Sequence, residues 1–180
     1  MAKTYLENTH LNKWIEQETP EIVIEPQLPI VDPHHHLWFR NGYNYLMPEF
    51  AADLGSGHNV VATVYAECHS MYRKDGPEKE RSLGETEFVR GQVAMSDGGQ
   101  YGRTRACQAL FGNVDLTLGA DVSVLLEKHT DTSGGRFRGV RYSTGWDGDE
   151  RIHNVVANPN MLVDARVMTA VRVLVEKPVT

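Results

Sequence analysis

Cysteine is scarce: Cys68 and Cys107 are the only two in 180 residues. With no CxxC pair and no leader of basic, apolar and small residues at the N-terminus, the chain reads as a protein of a reducing cytoplasm. Long apolar runs are also missing, since Val60 to Ala66 and Val122 to Leu126 fall far short of the roughly 20 residues needed to cross a bilayer. Positive charge is in deficit, with a formal net charge of −6 and a pI near 5.7, which argues against nucleic acid or an acidic membrane as partner. No fixed-length repeat or low-complexity tract occurs. What remains is 41% hydrophobic and 23% charged side chains, the make-up of one soluble domain able to bury a core and to act on a small molecule.

Residues 1–28 mix charge with apolar residues and are broken by Pro20 and Pro26, so they are expected to form an arm or a short leading strand laid on a main domain of residues 29–180. IVDPHHHLW opens as a β-branched run and ends polar, a first strand reaching a rim. A loop over Arg40–Tyr45 precedes PEFAADL, where Pro48 suits the first turn of a short helix. NVVATVYAE (Asn59–Glu67) has the apolar continuity of a strand covered on both faces.

Residues 73–88 read as a solvated charged loop leading into a helix that ends near Ser96. ACQALFG (Ala106–Gly112) is a third strand, and Gly119–Thr130 an amphipathic helix with Val122, Leu125 and Leu126 on one side. GGRFRGVRYS supplies a fourth strand. Met161, Ala165, Met168 and Val171 fall at helical spacing before Pro178. Strand-then-helix alternation of this kind predicts an α/β fold with a parallel sheet and right-handed crossovers, closed as a barrel or open.

Side chains two apart on a strand share a face, which sets Asp32, His34 and His36 together and Pro33 and His35 opposite. Two imidazoles at that spacing can grip a divalent zinc-like or manganese-like ion and leave positions open for water and substrate. Pro33 lacks the N–H of a central strand, so regular pairing ends here and the histidines belong at the C-terminal rim, where barrel enzymes build their sites. Glu67 shares a face with Val61, Thr63 and Tyr65 and would stand beside the histidines if that face looks inward. His69, Tyr72 and Arg73 follow in a loop over the mouth and are candidates for substrate contact. His58, His129 and His153 have no partner at ligand spacing and read as surface or loop histidines, and Cys68 as a small packed residue.

IVDPHHHLW, followed in order by GSGHNVVATVYAEC, MYR, GETEFV and GRFRGVRYS, resembles the lactonase-type branch of the amidohydrolase superfamily, from about Leu28 to Ala170. The resemblance implies a (β/α)8 barrel, with His34 and His36 as the first-strand HxH. It also implies Glu67 as the acidic residue of the second strand and Arg141 as the inward arginine of the fourth. Arg141 would clamp a carboxylate or polarise a lactone carbonyl. Metal dependence varies in that family, so zinc or manganese at the histidines is implied for those members that use one. Lactones or related cyclic esters are the implied substrates.

A complete barrel of this kind needs about 250 residues, so the chain is expected to hold about the first four units. The strand-eight Asp that activates water in the family has no counterpart assigned here. VRVLVEKPVT stands in place of the glycine-containing turn and fifth strand of the family pattern, as a truncation or altered reading frame would leave it. An open half-barrel would expose strand edges and an apolar face, favouring self-association. Two other functions share the motifs: a metal-dependent decarboxylase of the same superfamily, and a non-catalytic remnant that binds a metal or a partner.

Overall fold

The structure is a computed structural model and describes residues 13–19, 21–40 and 43–177. Four parallel strands form the main sheet: β1 (Pro29–His35), β4 (Asn59–Ala66), β5 (Arg105–Gly112) and β6 (Phe137–Val140), in the order β1-β4-β5-β6. Spatial order therefore follows chain order. Helices α1 (Met47–Leu54), α2 (Leu83–Asp97), α3 (Val122–Thr132) and α4 (Ala165–Glu176) occupy the crossovers and the end of the described chain. Alternation of apolar strand and amphipathic helix produces this architecture because parallel neighbours need a crossover long enough to return the chain.

Strand residues that reach the helices mark the covered face. The His35 ring stacks on Phe50 of α1 at 4.1 Å, the Tyr65 hydroxyl donates to Glu85 of α2 at 2.8 Å, and Phe137 stacks on His129 of α3 at 5.0 Å. Leu83, Val89, Leu110, Val122, Leu126 and Phe137 are almost wholly buried. Burial of such side chains contributes on the order of 1.5–3 kcal/mol each.

Several local expectations need correction. On either side of the stretch expected as a loop, β2 (Trp38–Arg40) and β3 (Tyr43–Tyr45) pair as an antiparallel hairpin, with Trp38 directly opposite Tyr45. Residues 73–88 are not wholly a wet loop: α2 begins at Leu83, and Ser82 through Thr86 are buried. Helix α3 starts at Val122 and not at Gly119, because Gly119, with a positive φ of 63°, kinks the chain inside the preceding 3-10 segment, Leu116–Asp121. Its buried stripe runs on through His129.

In α4 the buried positions are Val167 and Ala170, whereas Met168 and Val171 are exposed. Asp164 caps the helix by accepting from the backbone N–H of Arg166 at 2.8 Å. That start leaves Met161 in a separate 3-10 turn and turns the Val167 side of the helix inward. Pro178 lies outside the described residues. In the arm, residues 13–19 and 21–28 hold no strand, and Ile22 and Ile24 are almost fully exposed. One side-chain tether, Asn59 Nδ2 donating to Gln27 O at 3.0 Å, ties it to the start of β4. Among the described residues no helix is long and apolar enough to cross a membrane.

Candidate functional site

The C-terminal end of β1 is irregular. Its register with β4 shifts between Asp32 and His35, where Pro33 has no N–H to give, and Asp32 Oδ1 accepts from the His34 backbone N–H at 3.0 Å. Because His35 faces the helices, His34 and His36 face the other side. Their Nε2 atoms lie 3.2 Å apart. His36 Nδ1 donates to Ala66 O at 2.8 Å, which leaves the Nε2 lone pair directed at His34. Burial lowers the His36 pKa, against the raising effect of that carbonyl, so the neutral ring is favoured.

Aromatic rings flank the pair. Trp38 stacks on His36 at 5.7 Å, the Arg40 guanidinium lies 5.1 Å from the centre of the Trp38 ring, and Phe111 meets His34 edge-on at 6.0 Å. Arg40 Nη2 also donates to Cys68 O, fastening the hairpin to the end of β4.

Glu67 reaches this side for a reason that strand alternation does not give. Thr63 and Tyr65 face the helix layer through His35 and Glu85, so simple alternation would send Glu67 there too. The strand stops at Ala66, and the chain turns while Glu67 N–H still bonds Phe111 O at 3.0 Å. Arg141 behaves in the same way. Phe137 and Gly139 are buried on the helix side, β6 ends at Val140, and Arg141 N–H bonds Gly112 O at 2.9 Å beyond the strand.

The two side chains then join. Arg141 Nε donates to Glu67 Oε1 at 2.7 Å, Nη2 donates to Glu67 O, and Nη1 lies 3.5 Å from His34 Nε2. The Glu67 side chain is 3% exposed and that of Arg141 36%. Glu67 Oε2 is buried with no hydrogen-bond partner, and His69 Nε2 lies 3.6 Å from it. A buried carboxylate oxygen left in this state is an acceptor for an incoming hydroxyl or water.

His69 is exposed and its ring lies 5.4 Å from that of Tyr72. Tyr72 lines a neighbouring cleft of about 540 Å³ with Ser82, Asn113, Asp115 and Leu118. Its hydroxyl is buried without a partner, and burial raises the phenol pKa. Arg73 turns away to Glu87 at the surface. Thus His34, His36, Glu67 and Arg141 meet, with His69 beside Glu67 and Tyr72 one step further out.

His129 corrects the sequence reading: it is not at the surface but wholly buried, its Nδ1 2.8 Å from Thr86 Oγ1 and its Nε2 3.3 Å from Ser82 Oγ. Burial lowers its pKa to about 4. Its place in the apolar stripe of α3, four residues after Leu125, was the available signal. His58 and His153 are exposed. Cys68 is buried and unpaired, its thiol pushed up to about 11 by burial, so it is poorly suited to nucleophilic attack. Sequence reasoning missed Trp38, Phe111 and Glu85, whose roles depend on contacts made across the sheet and not on any local pattern.

The donor set meets part of what a divalent ion needs. Two imidazole nitrogens on one tetrahedral zinc stand about 3.4 Å apart for bonds of about 2.05 Å, close to the 3.2 Å here. The His36–Ala66 bond is the kind of outer contact that orients a ligating imidazole. Against this, the Arg141 cation adjoins His34, and among the described residues no group of three His, Cys, Asp or Glu side chains is placed to hold a metal. Comparison with known proteins finds no matching family model, curated protein or solved structure.

Proposed function

We propose that the chain is the N-terminal part of a (β/α)8 hydrolase of the amidohydrolase superfamily, acting on a lactone or similar cyclic ester. The observation that carries this reading is the junction of His34–His36, Glu67 and Arg141, from the C-terminal ends of β1, β4 and β6, into one polar cluster. Active sites of parallel barrels are built at that end of the strands. The sequential order of the four strands is that of consecutive barrel units. The motif resemblance from IVDPHHHLW to GRFRGVRYS supports the same assignment.

In this reading a lactone sits over the histidine pair with its carbonyl oxygen toward Arg141 Nη1. The guanidinium favours the charge that develops on that oxygen. Glu67 Oε2 accepts a hydrogen bond from the attacking water or a substrate hydroxyl, and Arg141 fixes Oε1 so that Oε2 stays in place. His69 and Tyr72 contact the substrate from the loop. Water adds to the carbonyl carbon, the ring C–O bond breaks, and a hydroxy acid leaves. The resemblance assigns the water's base to a later strand, and no described residue is given that role. His34 and His36 would be two ligands of a zinc or manganese ion, which when bound supplies Lewis acidity at the carbonyl.

The test is a lactone panel on the purified chain, with His34→Ala as control. Turnover is expected to fall at least about 100-fold in the variant. Turnover of aromatic acids with release of carbon dioxide would favour the decarboxylase, and binding without turnover the non-catalytic remnant.

In the described residues β1 and β6 are each paired on one side only. Association of two copies along these edges is the expected consequence. Light scattering should give a mass above that of one chain, and a dispersed monomer at high concentration would contradict it. Two buried, unpaired thiols accord with a cytoplasmic home.

A further inference from the structure

The segment Cys68–Arg73, which follows β4, has a backbone its own sequence does not favour. His69 and Met71 adopt φ of 58° and 55°, a left-handed conformation that L side chains rarely take. His tolerates that conformation better than most L residues but Met does not, so at Met71 above all the surroundings must impose the shape. Glu85, in the first turn of α2 and 3% exposed, supplies the means. A single oxygen, Oε1, accepts from Cys68 N–H at 2.9 Å, Ser70 N–H at 3.1 Å and Tyr65 hydroxyl at 2.8 Å.

Gly84 makes the approach sterically feasible. A Cβ at that position would lie 2.5 Å from Met71 O and 2.6 Å from Arg73 N, so any other residue would push the helix start off the segment. Burying a carboxylate is costly unless hydrogen bonds replace its water; here three donors do so at Oε1, while Oε2 is buried without a hydrogen-bond partner. Two of these donors are backbone N–H groups on either side of His69, so ordering them orders the residue between.

We propose that Glu85 is a positioning residue whose buried carboxylate holds the Cys68–Arg73 strap in its left-handed form, keeping His69 against Glu67 and Tyr72 against His69. The effect on turnover rests on the hydrolase reading given above; the effect on the strap does not. Amide hydrogen exchange and ring-to-ring nuclear Overhauser contacts on the full chain separate the two.

In the wild type, the Cys68 and Ser70 amides should exchange on the order of 100-fold more slowly than exposed loop amides, and the His69 and Tyr72 rings should show a contact. Glu85→Gln keeps the accepting oxygen and should preserve both features. Glu85→Ala should lose both while amides within β4 and β5 stay protected. Rapid exchange of Cys68 and Ser70 in the wild type would overturn the proposal even if Glu85→Ala fails to fold, and so would retention of both features in a folded Glu85→Ala. If the wild type hydrolyses lactones, Glu85→Ala should reduce kcat/KM by about 10- to 100-fold through misplacement of the site, with rescue in Glu85→Gln. Equal activity in the Ala variant would end the positioning role. A wild type with no turnover but a protected strap would uphold the strap and count only against lactone hydrolysis by this chain on its own.

Discussion

Between pH 6.5 and pH 4 the fold is expected to lose about 6 kcal/mol of stability, most of what a domain of this size commonly holds. The cause is two histidines buried as neutral rings. His35 lies under Phe50 with its Nε2 on Thr63 Oγ1 at 2.8 Å, and His129 lies under Phe137 between Thr86 and Ser82. Burial is the largest cause in each case and lowers the pKa from 6.5 to about 4.

The folded state therefore resists protons that the unfolded chain takes up. Above pH 6.5 both states are neutral and the stability is fully present. As the pH falls from 6.5 to 4, only the unfolded chain gains charge, and stability drops by about 3 kcal/mol per ring before levelling off. Glu85 acts in the opposite sense, since burial raises its pKa and protonation there favours the folded form at low pH. It moderates the loss without reversing it. Urea unfolding at pH 7 and pH 4 measures the difference. His129→Gln, which cannot titrate, should reduce the drop by about half; an unchanged drop in that variant would refute the assignment.

Replacing Arg141 by methionine should destabilise the protein by about 2–3 kcal/mol. Removing one partner of a buried pair leaves the other charge without compensation, typically at 3–5 kcal/mol, and the lower figure applies because the Arg141 side chain is 36% exposed. Two further bonds go with it, Nη2 to the Glu67 carbonyl and Nη1 toward His34. The double change Glu67→Gln with Arg141→Met removes the orphaned charge and should recover most of the loss. A double-mutant cycle by chemical denaturation reads this coupling directly. A double variant no more stable than Arg141→Met would show that Glu67 is not the source of the penalty.

The four parallel strands were legible in the sequence because each is a short apolar run followed by a helix-period segment, and periodicity survives without knowledge of partners. The convergence of His34 and His36 was legible for the same reason, as alternation on one strand. Arg141 was named through motif resemblance, and Glu67 through that resemblance together with the expectation that its face of β4 looks inward. Alternation assigns both to the helix side, along with Tyr65 and Phe137, and they escape it only because β4 ends at Ala66 and β6 at Val140. Strand ends are fixed by pairing across the sheet, so a single sequence does not reveal them.

Glu85 was hidden for a related reason, and His129 was read as a surface residue despite its place in the apolar stripe of α3. A charged or polar residue in a helix-period pattern reads as outward facing, and its burial depends on donors and acceptors from distant segments, Cys68 and Ser70 for one and Ser82 and Thr86 for the other. The β2–β3 hairpin escaped notice because three-residue strands carry too little alternation to register.

A sheet whose spatial order repeats its chain order has a consequence for how the polypeptide is made. Each strand docks on the one synthesised before it, so β1 and β4 can pair while Arg105 is still unmade, and β5 then finds a finished edge. Growth from one side in the direction of translation lets each pairing close the smallest loop that a parallel crossover allows, as the chain leaves the ribosome.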